Sequence, residues 1–319
     1  MMASIFDRRS IPGTAAESVW HAGDGQAVRR IDWRHSDTSA TVKGSIMFFP
    51  GRGDAYEKYL EALQQWYDAG WNVTASDWRG QAGSGRLGDD AVTGHIDDYS
   101  IWIDDLASFW NEWSDTAPGP HVLSGHSMGG HLVLRGVVEQ RVTPDAVFLS
   151  APMLGFFGNV LPGSLMHRAA RWIRNWRGAK TQAWKWSEKP GEVPIGRINL
   201  LTHDAQRYED ELWWREHRPE LVMGPGSWGW VERGYASMKA IFAPGRLEAV
   251  DTPVLLVSTR HDKLVDHKAI RDAARRLPAG ELFEFGKEAR HEILREVDPV
   301  RDRAMNAIAG FLDRVLPAR

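Results

Sequence analysis

Short apolar runs alternate with helix-period patterns through both ends of this chain, and that alternation constrains the fold more than any other feature. Ser45–Phe49 (SIMFF) reads as a buried strand closed by Pro50 and Gly51. Residues 54–69 follow with Tyr56, Tyr59, Leu60, Leu63, Trp66 and Tyr67 at helical spacing, and Gly70 ends them. Strands are then expected over 71–76, 121–124 and 146–149, with helices over 99–113 and 128–139. The pattern resumes with strands over 253–258 and 281–285 and helices over 268–277 and 299–316. Strand–helix alternation of this kind implies an α/β protein, a mostly parallel central sheet with helices on both faces. Residues 18–34 alternate weakly and are expected to supply leading antiparallel strands.

Between the two alternating parts the pattern stops. Residues 154–246 are rich in Trp, Arg, Pro and Gly and hold eight of the sixteen tryptophans. We read them as a helical lid inserted into the sheet domain, which divides the chain into a first core part (1–153), the lid (154–246) and a second core part (247–319). Net charge is 39 − 42 = −3, too balanced for a nucleic-acid binder. With no cysteine there is no disulfide framework, thiolate metal site or Cys nucleophile. No apolar run reaches membrane-spanning length and the N-terminus lacks a signal-peptide core. The expected location is cytoplasmic.

The chemistry is carried first by Ser124-Gly125-His126-Ser127-Met128-Gly129-Gly130, a G-x-S-x-G directly after a strand and directly before a helix. A serine on such a turn projects its hydroxyl above the sheet, and the helix N-terminus behind it offers unpaired N–H groups to a developing anion. A serine needs a base. His121, His126 and His131 lie on strand, turn and helix and should point elsewhere, and they would not converge on a metal. His291, in a loop after the last strand, is the candidate base, because loops at the carboxyl ends of parallel strands gather at one edge. Asp262, just after the 253–258 strand, is the candidate acid that orients it, with Asp266 as runner-up. The candidate oxyanion donors are the backbone N–H groups of Met128 and of Arg52, in Pro50-Gly51-Arg52-Gly53. Gly51, Trp228 and Trp230 are candidate substrate contacts. Gly83-Ser84-Gly85-Arg86-Leu87-Gly88 matches G-x-G-x-x-G but opens no helix, so no dinucleotide site is expected.

The segments FFPGRGDAYEKYLE, DWRGQAGSGR, LSGHSMGGHL, LLVSTRHDKLVD and ARHEIL, in that order, resemble the lysophospholipase and monoacylglycerol lipase branch of the α/β-hydrolases, the bacterial lysophospholipase-like members above all. NLLTHDAQRYEDELW and SWGW are similar to the family's lid. The resemblance runs from about Gly44 to the end and implies the α/β-hydrolase fold. It also implies Ser127 as nucleophile, Asp262 as acid, His291 as base, and donors at Arg52 and Met128. Three positions depart from the pattern. Pro50 stands where many relatives have His, Arg52 replaces a small residue, and Ala82 sits where glycine is usual.

On a helical wheel Leu165, Met166, Ala169, Trp172, Ile173 and Trp176 share one arc, and His167, Arg168, Arg171, Arg174 and Arg177 share the other. Residues 165–186 hold six Arg or Lys and no acid. Such a stretch suits either peripheral contact with the inner face of a membrane or a lid helix packed on the core with its basic face solvated. The expected activity is hydrolysis of lipid monoesters, lysophospholipids or monoacylglycerols, through an acyl-enzyme and without metal or organic cofactor. The rivals are a short-chain or aryl esterase, a peptidase or other acyl-transferring serine hydrolase, and an inactive hydrolase-fold binding protein.

Overall fold

In the computed structural model, residues 6–35, 42–158, 163–185 and 196–316 are described. Eight strands form one sheet in the order β1-β2-β4-β3-β5-β6-β7-β8. β1 (Ala15–His21) and β2 (Ala27–Trp33) form an antiparallel hairpin, and β2 also runs antiparallel to β4 (Trp71–Ser76). The remaining neighbours are parallel: β3 (Gly44–Phe49), β5 (His121–His126), β6 (Ala146–Ser150), β7 (Val254–Thr259) and β8 (Gly280–Phe285).

The central strands are apolar on both faces because both faces are covered. In β3, Met47 and Phe49 enter one core with Leu123, Val147 and Leu256, while Ile46 and Phe48 enter the other with Val122, Phe148 and Leu255. This two-residue period sorts each strand between two helical layers. α2 (Tyr99–Ser114), α3 (Met128–Val138) and α8 (His267–Arg276) cover the first face; α1 (Leu60–Asp68) and α9 (Asp298–Val315) cover the second. The helix expected over 54–69 is broken. Residues 56–59 form a 3₁₀ turn, and α1 begins only at Leu60.

Between β6 and β7 the chain leaves the sheet. α4 (Gly163–Arg177), α5 (Ile198–Leu201), α6 (Ala205–His217) and α7 (Trp228–Ile241) lie here. α4 packs on α7 with a mixed face, on which Ala170 and Met166 join the first core. The carboxylate of Glu232 on α7 is fully buried and accepts from His167 (2.8 Å), Arg171 (3.3 Å) and Arg174 (3.0 Å) of α4. A buried carboxylate must be paired, so His167, Arg171 and Arg174 are drawn to it, while Arg168 and Arg177 stay exposed. Trp172 (66% exposed) and Trp176 (73%) are left outside, their rings stacked at 5.8 Å. Among the described residues no helix is long and apolar enough to cross a membrane.

Two departures from ordinary backbone mark the functional edge. Ala82 occupies the left-handed region (φ 44°), a conformation that favours glycine. Ser127, between β5 and α3, has φ 51° and ψ −117°. Such a conformation costs roughly 1–3 kcal/mol. The Ser127 N–H donates to the Ser150 carbonyl (2.9 Å), and its carbonyl accepts from Met153 N–H (2.9 Å). At about 1 kcal/mol each, these bonds offset much of the cost. The turn is tight because β5 and α3 nearly touch. A Cβ on Gly125 would come within 2.6 Å of the Gly129 carbonyl carbon, and one on Gly129 would fall on the carbonyl oxygens of Phe49 and Pro50. Gly129→Ala is therefore expected to lose about 1–3 kcal/mol of stability, measured as a lower urea midpoint; an unchanged midpoint would contradict this packing.

Candidate active site

The carboxyl ends of β3, β5 and β7 and the loop after β8 bring the candidate residues to one edge of the sheet. Ser127 and His291 both line a cavity of about 840 Å³, a volume that suits a small organic ligand. Its floor is polar, with Arg52, Asp54, His126 and Glu292 beside them. Its walls are apolar and come largely from the segment between β6 and β7: Met153, Phe156, Phe157, Trp184, Leu200, Leu201, Trp230 and Tyr235.

His291 is buried, and its Nδ1 lies 2.7 Å from Asp262 Oδ2. The other Asp262 oxygen accepts from the N–H groups of Leu264 (2.8 Å) and Val265 (3.0 Å), which locks the carboxylate in place. Asp266 stands apart, capping α8 through Lys268 N–H at 2.9 Å. Burial would push the His291 imidazole down, but Asp262, with Glu292 and Asp54 behind it, outweighs that and holds it above its ordinary value. Burial would likewise raise Asp262. The adjacent imidazole and the two backbone donors hold it low. A carboxylate on Nδ1 leaves Nε2 as the nitrogen available to exchange a proton with a neighbouring hydroxyl.

The turn after β3 is fixed on both sides of Arg52. Gly51 N–H reaches Asp54 Oδ2 (3.3 Å), Gly53 N–H reaches Gln81 Oε1 (2.9 Å), and Trp78 Nε1 donates to the Pro50 carbonyl (3.0 Å). A Cβ on Gly51 would lie 3.1 Å from Ser127 Cβ, so the turn passes directly against the serine. The Arg52 side chain leaves the turn upward. Its guanidinium donates to the Gly224 carbonyl (2.5 Å) and sits over the rings of Trp184 (5.0 Å) and Trp230 (5.2 Å). Met128 is the first residue of α3, and its N–H has no intrahelical acceptor. Two elements, the turn after β3 and the start of α3, thus lie against the serine.

Over residues 40–298 the sequence matches the model of the Hydrolase_4 family, described as serine aminopeptidase, S33. The chain belongs to the Hydrolase_4 family. Among related proteins, lysophospholipase L2 of Escherichia coli is 32% identical over 286 residues, covering 84% of this chain and 80% of that protein. A probable lysophospholipase L2 of Haemophilus influenzae is 22% identical over 287 residues, covering 89% and 88%. Among solved structures, a soluble variant of monoglyceride lipase from Saccharomyces cerevisiae, in complex with a substrate analogue, superposes with a TM-score of 0.75 at 17% identity and 97% coverage of both chains. Paleococcus ferrophilus monoacylglycerol lipase superposes with a TM-score of 0.64 at 20% identity, covering 95% and 99%. The superpositions carry the α/β-hydrolase fold expected from the motifs.

Within this Hydrolase_4 chain two sequence expectations need correction. Trp228 is not among the described residues that line the cavity, whereas Trp230 is. The two are the first and third residues of α7, about 200° apart on a helix, so one indole at the cavity places the other away from it. His126 was expected to point elsewhere, yet it lines the cavity with its ring 4.7 Å from His291. Burial, then the neighbouring His291, pushes it down to about 3, so it is neutral near pH 7. Sequence reasoning also missed Asp54, Lys58 and Glu292. Charged residues beside a predicted turn carry no sign that they are buried.

The Asp262–His291 pair sets the direction of a titration. NMR titration of the His291 ring is expected to give a value above the ordinary 6.5. In Asp262→Asn, where burial acts without the compensating carboxylate, the value is expected to fall. A titration unchanged by that substitution would contradict the pairing.

Proposed function

We propose that this protein is a serine carboxylic-ester hydrolase acting on lipid monoesters, either lysophospholipids or monoacylglycerols. The observation that carries the proposal is one apolar-walled cavity lined by both Ser127 and His291, with Asp262 hydrogen-bonded behind His291. The names of the Escherichia coli and Haemophilus influenzae relatives support the substrate class. Ser127 Oγ attacks the ester carbonyl while His291 takes its proton, and Asp262 stabilises the resulting imidazolium. The N–H groups of Arg52 and Met128 hold the oxyanion. His291 then protonates the leaving alcohol. It next activates a water that releases the fatty acid and restores Ser127. Every group needed is a side chain or backbone donor, so no metal or organic cofactor enters the proposed cycle. Residues 154–246 serve as the lid, with Trp184, Leu200, Trp230 and Tyr235 supplying wall area for the acyl chain. Gly51, expected from the sequence to be a substrate contact, is not among the described residues that line the cavity; its lack of a side chain lets the turn pack against Ser127, Asp54 and His126.

The protein is proposed to act in the cytoplasm, with the 165–186 stretch resting on the inner membrane face. Trp186, at the end of that stretch, lies outside the described residues. Outward-facing Trp172 and Trp176, with Leu165 on the same exposed surface and Arg168 and Arg177 beside them, suit a headgroup interface.

Ser127→Ala is expected to abolish labelling by a fluorophosphonate probe and to cost at least ~10³-fold in ester turnover; labelling at the wild-type level would refute the assignment of Ser127. A series of lysophosphatidylcholine and p-nitrophenyl esters should show kcat/KM rising with acyl length. Preference for acetyl or aryl esters would favour the short-chain esterase reading. Replacing Trp172 and Trp176 together by Ser should reduce cosedimentation with anionic vesicles and leave hydrolysis of a soluble ester unchanged. Equal cosedimentation would remove the membrane contact from the proposal.

A further inference from the structure

Beneath the cavity floor lies a buried ionic cluster that the cycle above does not use. The Lys58 side chain is 5% exposed. Its Nζ stands 2.5 Å from Asp54 Oδ1, 2.6 Å from Glu292 Oε1 and 3.1 Å from Glu211 Oε2. An ammonium has three N–H bonds directed at tetrahedral angles, and here it meets three carboxylate oxygens. A planar guanidinium could not serve these three in the same way.

The three carboxylates belong to three separate segments. Asp54 lies in the turn after β3, and its second oxygen receives Gly51 N–H (3.3 Å) and the Tyr59 hydroxyl (2.9 Å). Glu292 follows His291, and its second oxygen is held by Arg295. Glu211 is on α6, where Arg295 (3.0 Å) and Arg197 (2.5 Å) also reach it. The cluster therefore sets Lys58, Arg197 and Arg295, with Arg215 at 3.9 Å from Glu211, against Asp54, Glu211 and Glu292. Burial would push Lys58 down, but the three carboxylates hold it above its ordinary value.

We infer that Lys58 is a positioning residue that ties the Gly51–Arg52 turn, through Asp54, to the backbone carrying His291, through Glu292. This rests on the reading of Ser127 and His291 as the catalytic pair. The tie keeps the oxyanion donor and the base at a fixed separation on opposite sides of Ser127. An error of about 1 Å in that separation can cost ~10²-fold in rate.

The cluster also sets a charge beside the imidazole. His291 is faced by Asp262 from the loop after β7, Glu292 from its own loop, Asp54 from the turn after β3, and neutral His126 from the end of β5. Removing Lys58 takes one positive charge from the cluster. Its loss favours the imidazolium, so the acid limb of the rate profile moves to higher pH. Removing the charge of Glu292 does the reverse and moves the limb to lower pH.

The test uses the full chain with p-nitrophenyl butyrate as a soluble probe. Lys58→Met, Glu292→Gln and Ser127→Ala are compared with wild type by pH–rate profile and thermal melting. Lys58→Met is expected to lose ~10-fold or more in kcat, with KM within about twofold, and to shift the acid limb upward. Glu292→Gln is expected to shift the limb downward. A folded Lys58→Met with wild-type kcat and limb overturns the inference, and so do two shifts in the same direction. If Lys58→Met does not fold, Glu292→Gln decides, and an unmoved limb overturns it. Retained activity in Ser127→Ala would instead overturn the reading of the site itself.

Discussion

The strained turn at Ser127 is the constraint from which the rest of the functional edge follows. It exists because β5 and α3 approach so closely that neither Gly125 nor Gly129 has room for a side chain. The same approach presses α3 against the end of β3, where Phe49 and Pro50 carbonyls lie under Gly129. The serine, the first turn of α3 and the turn carrying Arg52 are thereby fixed relative to one another by backbone contacts. Backbone contacts of this kind do not relax as long side chains do. His291 and Asp262 reach the same edge from the far side of the sheet, and their mutual hydrogen bond joins two loops that follow neighbouring parallel strands.

A second level of organisation is ionic and buried. Lys58 draws Asp54, Glu211 and Glu292 together, and Glu232 draws His167, Arg171 and Arg174 together. In each case one buried charge organises side chains from other elements, and the cost of leaving it unpaired exceeds that of rearranging its neighbours. At α4, His167, Arg171 and Arg174 reach Glu232 while Ala170 and Met166 pack on the core, and Trp172, Trp176, Arg168 and Arg177 face out.

How much of this was legible beforehand depends on the range of the interaction responsible. Strand positions followed from local apolar runs and differ from observation by only a residue or two. β5 runs on to His126 because pairing with β6 continues to Ser150, although Gly125 and His126 are poor strand formers. The break before α1 lies at Tyr59, whose backbone (φ −113°, ψ 6°) leaves the helical region, and residues 54–69 carry no proline or glycine to announce it. Asp262 could be preferred to Asp266 because it sits nearer the end of β7, and the structure pairs Asp262 with His291. The helical wheel of α4 divided it into an apolar and a basic arc, but the packed face draws on both, because Glu232, 65 positions from His167, pulls in cations beside Met166 and Ala170. Likewise nothing near Lys58 indicates that Glu292, 234 positions away, lies 2.6 Å from its amine. Local periodicity is readable from sequence; the burial of a charge by distant partners is not.

The central claim is that Ser127, His291 and the N–H groups of Arg52 and Met128 converge on one reacting carbon. The most direct measurement is a crystal structure of the protein after reaction with a long-chain alkyl fluorophosphonate, whose tetrahedral phosphorus mimics the acyl adduct. The account predicts phosphorus bonded to Ser127 Oγ, one phosphonyl oxygen within hydrogen-bond distance of both N–H groups, and His291 Nε2 facing the ester oxygens. Phosphorus on another residue, or its oxygen turned away from Arg52 and Met128, would contradict it.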